Sequence, residues 1–254
     1  KMKILLWNEL ECIRPFGLQG FCLKADAINC FAPNPCQSHV IDINRLLGKC
    51  KNFGIKNHFH SRFPILQQQD SRRNAICSNG CKKIDFIGEV LTQYHGISSS
   101  DSLMYPYYAL AEKYNLPVGL HTGSAGPDHG CPNFKEEMGN PLLLKEALTK
   151  FPKLRVWFMH GGGPFVKECI EMMKTYPGLY TDISVLNNPN IIPAKDFASI
   201  MKAFIDAGLE DRLLFGSDNA DMKTCIAAVE ELKFLSAKQK EKIFHQNAEA
   251  FFKN

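Results

Sequence analysis

Residues 141–164 read PLLLKEALTKFPKLRVWFMHGGGP, and this one stretch carries the logic of the whole chain. Pro141 follows Asn140, a proline in the first helical position after a residue that caps helices well. Apolar side chains then recur at helical spacing as far as Phe151. The short break PK leads into LRVWFM, which is apolar almost throughout, as a strand covered on both faces must be. The strand ends on His160, and three glycines follow it. A helix, a buried strand and a polar tip make one turn of an alternating α/β chain.

The same alternation extends in both directions. Strands are predicted at 84–89, 116–121, 154–160, 178–183 and 212–217, and helices at 105–114, 141–151, 163–176 and 194–207. The final stretch, 236–252, pairs a Ser236 N-cap with Ile243, Phe244, Ala248, Phe251 and Phe252 at helical spacing, and is expected to close the domain. Repeated strand–helix units over 254 residues point to a parallel sheet closed into a (β/α)8 TIM-type barrel, spanning 1–254 as one domain.

Residues 1–83 depart from this text. They hold 13 Lys and Arg against 5 Asp and Glu, whereas the remainder holds 17 against 21. They also carry seven of the ten cysteines, and FAPNPCQS (31–38) and QQQDSRRNAICSNG (67–80) show no periodicity. The first third is therefore atypical, and the barrel is expected to be irregular or incomplete there. The basic residues form no helical stripe and lack interleaved aromatic platforms, so no nucleic-acid partner is expected. No CxxC occurs, which argues against a zinc ribbon or finger. The longest apolar run near the start, 4–7, is too short for a secretion signal or a membrane span, so a cytoplasmic protein with no membrane partner is expected.

Chemistry gathers at the strand ends. GLHTG ends on His121, WFMHGGG on His160, and LFGSDN places Asp218 just past its strand. In parallel barrels catalytic groups sit at the C-terminal ends of the strands, so these three side chains are expected to converge. Two imidazoles and a carboxylate suit one divalent ion, zinc first and manganese as the other candidate, with a position left for water. On this reading His121, His160 and Asp218 are the ligands, Asp218 also takes the proton of the water, and His160 polarises the bond under attack. Glu89, at the end of the first predicted strand, is a further active-site or supporting carboxylate. Gly123 and Gly161 are expected to let backbone approach a ligand. Asp182 reaches the same end, where structural hydrogen bonding is the expectation.

These segments also carry a resemblance. IGEVLTQYHGISSSD (87–101), PYYALAEKYNLPVGLHTG (106–123), GNPLLLKEALTKFPKLRVWFMHGGGP (139–164), LYTDIS (179–184), RLLFGSD (212–218) and IFHQNAEAFF (243–252) resemble, in order and spacing, the amidohydrolase-related family of TIM-barrel metal-dependent hydrolases. The likeness covers about 84–254. It implies a metal-dependent hydrolase acting on an amide, ester or lactone of a small molecule, with a non-oxidative decarboxylase or hydratase as the alternative on the same scaffold. Residue by residue, it implies that His121 matches the fifth-strand metal ligand, His160 the sixth-strand histidine and Asp218 the eighth-strand aspartate. The family opens on an H-x-H pair that supplies two more ligands, and here the first strand candidate reads KILLWNE. The only H-x-H, His58-Phe59-His60, lies just 28 residues before Gly88, which crowds the intervening strand–helix units, so a coincidence is the first reading of the pair and its service as the missing ligands the second. A chain lacking that pair could also be a catalytically inactive barrel. If the first third fails to supply its strands, two open sheet edges would favour homo-oligomers.

Overall fold

The computed structural model describes residues 86–126 and 130–253. Five strands, β1 (Ile87–Val90), β2 (Val118–His121), β3 (Val156–Met159), β4 (Tyr180–Asp182) and β5 (Leu213–Leu214), form one sheet in the order β1-β2-β3-β4-β5. Every neighbouring pair is parallel, with Gly119 opposite Trp157 and His121 opposite Met159. Parallel neighbours require a crossover on each step. These are supplied by α1 (Tyr105–Lys113), α2 (Lys145–Lys150), α3 (Val166–Thr175) and α4 (Ala194–Asp206). After β5 come α5 (Met222–Glu230), α6 (Ala237–Glu241), a π turn (Lys242–Gln246) and α7 (Asn247–Lys253). This is a run of consecutive βα units in the order of a TIM-type barrel. The expectation of three further strands from residues 1–83 lies outside the described residues, as do His58 and His60.

The helices form where the apolar spacing predicts and stop where their capping changes. In α3 the buried residues are Cys169, Met172 and Met173, and in α4 they are Phe197, Met201 and Phe204, each set on one face. The predicted helix at 141–151 is split, because the Asn140 side chain accepts from Leu142 N and starts a tight 3₁₀ turn (Pro141–Leu144) before α2. α5 was not foreseen, although Asp221 caps it by accepting from Thr224 N. Ser236 opens α6 through a reciprocal capping box with Gln239. No helix among the described residues is long and apolar enough to cross a membrane.

The strands are buried on both faces. Val118, Leu120, Val156, Phe158 and Leu213 point into the layer of crossover helices. On the opposite face Trp157, Met159 and Leu214 pack against Ala248 and Phe251 of α7. Trp157 is fully buried there and meets Phe86, Phe251 and Phe252 edge-on at ring-centroid distances of 5.8, 5.9 and 5.4 Å. The indole fits because position 119 has no side chain. A Cβ on Gly119 would stand 2.6 Å from Cη2 and 2.8 Å from Cε2 of Trp157. Gly119→Ala is therefore expected to destabilise the fold by about 1–3 kcal/mol, read from the urea midpoint, because the enclosed ring has nowhere to move. A midpoint unchanged from the parent would show that the indole yields.

Candidate functional site

Parallel strands bring their C-terminal ends to one side of the sheet, and the polar residues foreseen there do meet. Glu89 comes from β1, His121 ends β2, and His160 begins the tight turn (His160–Gly162) directly after β3. The Glu89 carboxylate oxygen Oε1 lies 3.3 Å from His160 Nε2 and 3.5 Å from His121 Nε2. The imidazole rings stand edge to face with centroids 4.5 Å apart, and both are buried. One donor atom from each of the three residues falls within 4.8 Å of the others.

This arrangement fits a small divalent cation. Ligand atoms at about 2.0–2.1 Å from a tetrahedral zinc stand about 3.3–3.4 Å apart, which is the spacing from Glu89 to each histidine. The donor set, two imidazole nitrogens and a carboxylate oxygen, is one that zinc and manganese accept. Each histidine is also held from behind. His160 Nδ1 lies 2.7 Å from Ser184 Oγ, and Ser184 Oγ donates to Asp182 Oδ1 at 2.5 Å. That leaves the serine oxygen to accept from His160 Nδ1–H. Asp182 Oδ1 also accepts from the backbone N–H groups of His160 and Ser184, both at 3.0 Å. Asp182 thus performs the structural hydrogen bonding that the sequence reading expects, and fixes the turn that presents His160. On the other side Gln93 Nε2 lies 2.5 Å from His121 Nδ1.

The charges of the cluster pull its two histidines apart. Burial and then the neighbouring His160 lower the pKa of His121 to about 3, with Glu89 opposing them. Burial would lower His160 too, but its hydrogen bond to Glu89 and the charges of Asp182, Glu89 and Asp218 outweigh that and raise it to about 9. Without an ion, the surroundings therefore favour the neutral form of His121 and the protonated form of His160, which faces Glu89.

Asp218 stands beside the cluster, outside the set of three closest donors. Its charge is felt by His160 and by Tyr94. Its own pKa is raised by burial, with Glu89 and Asp182 adding to the rise, while His160 and a backbone hydrogen bond from Asn219 oppose it. Tyr94 forms a wall, edge-on to His121 at 5.4 Å and to Phe134 at 5.5 Å. Its hydroxyl is pushed up to about 12, by burial first and by Glu89 and Asp218 after it. His160 and Asp218 are both held at positive φ, 66° and 49°. A residue with a Cβ adopts that conformation at a cost of about 1–2 kcal/mol, and such positions cluster at functional sites.

The glycines around the cluster bring protein segments together. Gly123 has φ 78°, and a Cβ on it would stand 2.6 Å from the carbonyl carbon of Gly163. The loops after β2 and β3 touch there, and Ser124 N donates to Gly163 O at 3.2 Å. A Cβ on Gly161 would run into Leu186 Cδ1. Both positions let the turns that carry the histidines pack closely. Sequence reading missed Gln93 and Ser184. Gln93 lies in an aperiodic turn, and Ser184 was signalled only by its place two residues beyond Asp182.

A protein-family model described as amidohydrolase matches residues 88–253. No curated protein sequence matches the chain significantly. Among solved structures, an uncharacterised TIM-barrel protein of Bordetella bronchiseptica is 28% identical with a TM-score of 0.48, over 62% of this chain and 52% of that one. An amidohydrolase of Burkholderia multivorans with bound zinc is 13% identical with a TM-score of 0.48, over 64% of this chain and 63% of that one. A dihydroxybenzoic acid decarboxylase of a Polaromonas species, with bound manganese and 2-nitroresorcinol, is 15% identical with a TM-score of 0.45, over 62% and 55%. The chain thus spans 52% to 63% of the length of these solved proteins. With a family model running from the strand that carries Glu89 to the last helix, over more than half of its length, the chain belongs to the amidohydrolase family.

Proposed function

We propose that this protein is a metal-dependent hydrolase that cleaves an amide, ester or lactone bond of a small molecule. The observation that carries the reading is that Glu89 Oε1 lies 3.5 Å from His121 Nε2 and 3.3 Å from His160 Nε2, with a half-buried carboxylate, Asp218, beside them. Glu89, His121 and His160 would hold the ion, and Asp218, foreseen as a ligand, borders them as a fourth candidate and as the proton acceptor. A bound zinc or manganese ion supplies Lewis acidity and makes water nucleophilic near neutral pH. Asp218 takes the proton released by the attacking water, and its raised pKa suits it to return that proton to the leaving group. Asp182 and Ser184 hold the His160 ring in place, and Tyr94 and Phe134 wall the site on the His121 side.

A non-oxidative decarboxylase on the same scaffold is the alternative, in which the ion or a basic side chain would grip the substrate carboxylate. Both arginines among the described residues are committed to backbone carbonyls, Arg155 to those of Asn115 and Phe251, and Arg212 to those of Met173, Tyr176 and Leu179.

The test is to reconstitute the full chain with zinc or manganese and assay it against a panel of small lactones, esters and amides, following release of acid. Asp218→Asn is expected to lower kcat by about 100- to 10,000-fold while the ion stays bound, as loss of a general base does. Full activity in that variant would remove Asp218 from the mechanism. Release of carbon dioxide from aromatic acids, with no hydrolysis, would replace the hydrolase reading with the decarboxylase one.

A further inference from the structure

Gln93 is fully buried in the turn (Gln93–His95) that follows β1. Its backbone carbonyl accepts from Gly96 N and Lys135 N, both at 3.0 Å, so the residue is pinned from two sides. Its amide nitrogen lies 2.5 Å from His121 Nδ1 and donates to Gly123 O at a long 3.4 Å. Its amide oxygen is buried and finds no hydrogen-bond partner among the described residues. A buried acceptor left unpaired is costly, and its presence beside the candidate ligands calls for a reason.

The reason lies in the imidazole. A neutral histidine carries one N–H and one lone pair. With the amide nitrogen donating to Nδ1, the ring proton of His121 sits on Nε2 and faces Glu89 at 3.5 Å. That tautomer has no lone pair to offer an ion. For His121 to bind through Nε2, its proton must move to Nδ1, and Nδ1–H then needs an acceptor. Turning the Gln93 amide over by 180° supplies one, because the oxygen takes the place of the nitrogen without displacing other atoms. The turn gives up the long bond to Gly123 and moves the amide nitrogen to the buried position where the oxygen finds no partner, a cost that the ion bond to Nε2 must offset.

We infer that Gln93 is the positioning residue for His121, and that its amide turns over when an ion binds, so that Oε1 accepts from Nδ1–H and locks Nε2 onto the ion. The inference rests on the metal-centre reading proposed above. It makes the acceptor at position 93 a determinant of metal affinity, although Gln93 does not touch the ion.

The experiment titrates the full chain with zinc against a chromophoric chelator, for wild type, Gln93→Leu and Gln93→Glu, with cobalt(II) absorption reporting the coordination sphere and thermal melts reporting the fold. Gln93→Leu removes the acceptor and is expected to weaken zinc binding about 10- to 100-fold, the usual loss when the partner of a ligating histidine is removed. Gln93→Glu keeps an acceptor in place and is expected to bind at least as tightly as wild type with an unchanged cobalt spectrum. A folded leucine variant that binds as wild type does, or a glutamate variant weakened about tenfold, would overturn the inference. If the leucine variant fails to fold, the glutamate variant alone decides. Wild type that takes up no zinc would overturn the metal-centre reading itself, whereas zinc uptake that ignores Gln93→Leu would overturn only the role of Gln93.

Discussion

His121→Ala is expected to lower zinc affinity by more than about 100-fold and to reduce hydrolysis to background. Removing a group that merely supports a ligating histidine costs about 10- to 100-fold, so removing the histidine must cost more. The loss follows from how the cluster is built. His121 is the histidine that is neutral in the absence of an ion, because burial and His160 lower its pKa to about 3. His160, whose pKa is raised to about 9 by its hydrogen bond to Glu89 and the nearby carboxylates against the effect of burial, must instead lose a proton before it can bind. His121 thus has no net charge to lose and needs only to move its ring proton from Nε2 to Nδ1, and without it the remaining pair holds a proton in preference to a metal. Isothermal titration with zinc checks the affinity, and near-wild-type binding by the variant would refute the role given to His121.

Trp157→Ala is expected to destabilise the fold by about 3–5 kcal/mol, the range for a large aromatic cut back to a methyl in a core. The indole fills the space over Gly119 and is the ring on which Phe86, Phe251 and Phe252 converge. No neighbour on the strand can close that gap, since Gly119 has no side chain. The urea midpoint reads the effect, and a loss below about 1 kcal/mol would mean that α7 collapses onto the sheet.

What the sequence made legible was the part governed by periodicity. The strands ending in His121 and His160, the helices around Met172 and Met201, and the gathering of polar groups at one end all follow from alternating apolar runs and parallel pairing. Strand ends were less legible, because they depend on partners distant in sequence. The predicted strand at 212–217 shrinks to Leu213–Leu214, since Phe215 N donates to Ile243 O of the π turn instead of to a neighbouring strand. The last predicted helix, 236–252, breaks into α6, the π turn and α7. The site was partly legible for the same reason. Glu89 was read as an active-site or supporting carboxylate, and its oxygen lies 3.3 and 3.5 Å from the two histidines, with Asp218 beside them. Nothing local distinguishes these two carboxylates, as each lies at the C-terminal side of its strand, and only the spacing in the folded sheet ranks them. Gln93 left no trace, because a lone polar residue in a short turn reads as solvent-facing until the fold buries it.

The central claim is that Glu89, His121 and His160 together hold one divalent ion. Elemental analysis after zinc or manganese loading and exhaustive dialysis tests it most directly, on wild type and on Glu89→Gln, His121→Ala and His160→Ala. The account predicts about one equivalent of metal in wild type and its loss in all three variants, each still folded by circular dichroism. Metal-free wild type, or metal retained at full occupancy when Glu89 or His121 is replaced, would contradict it.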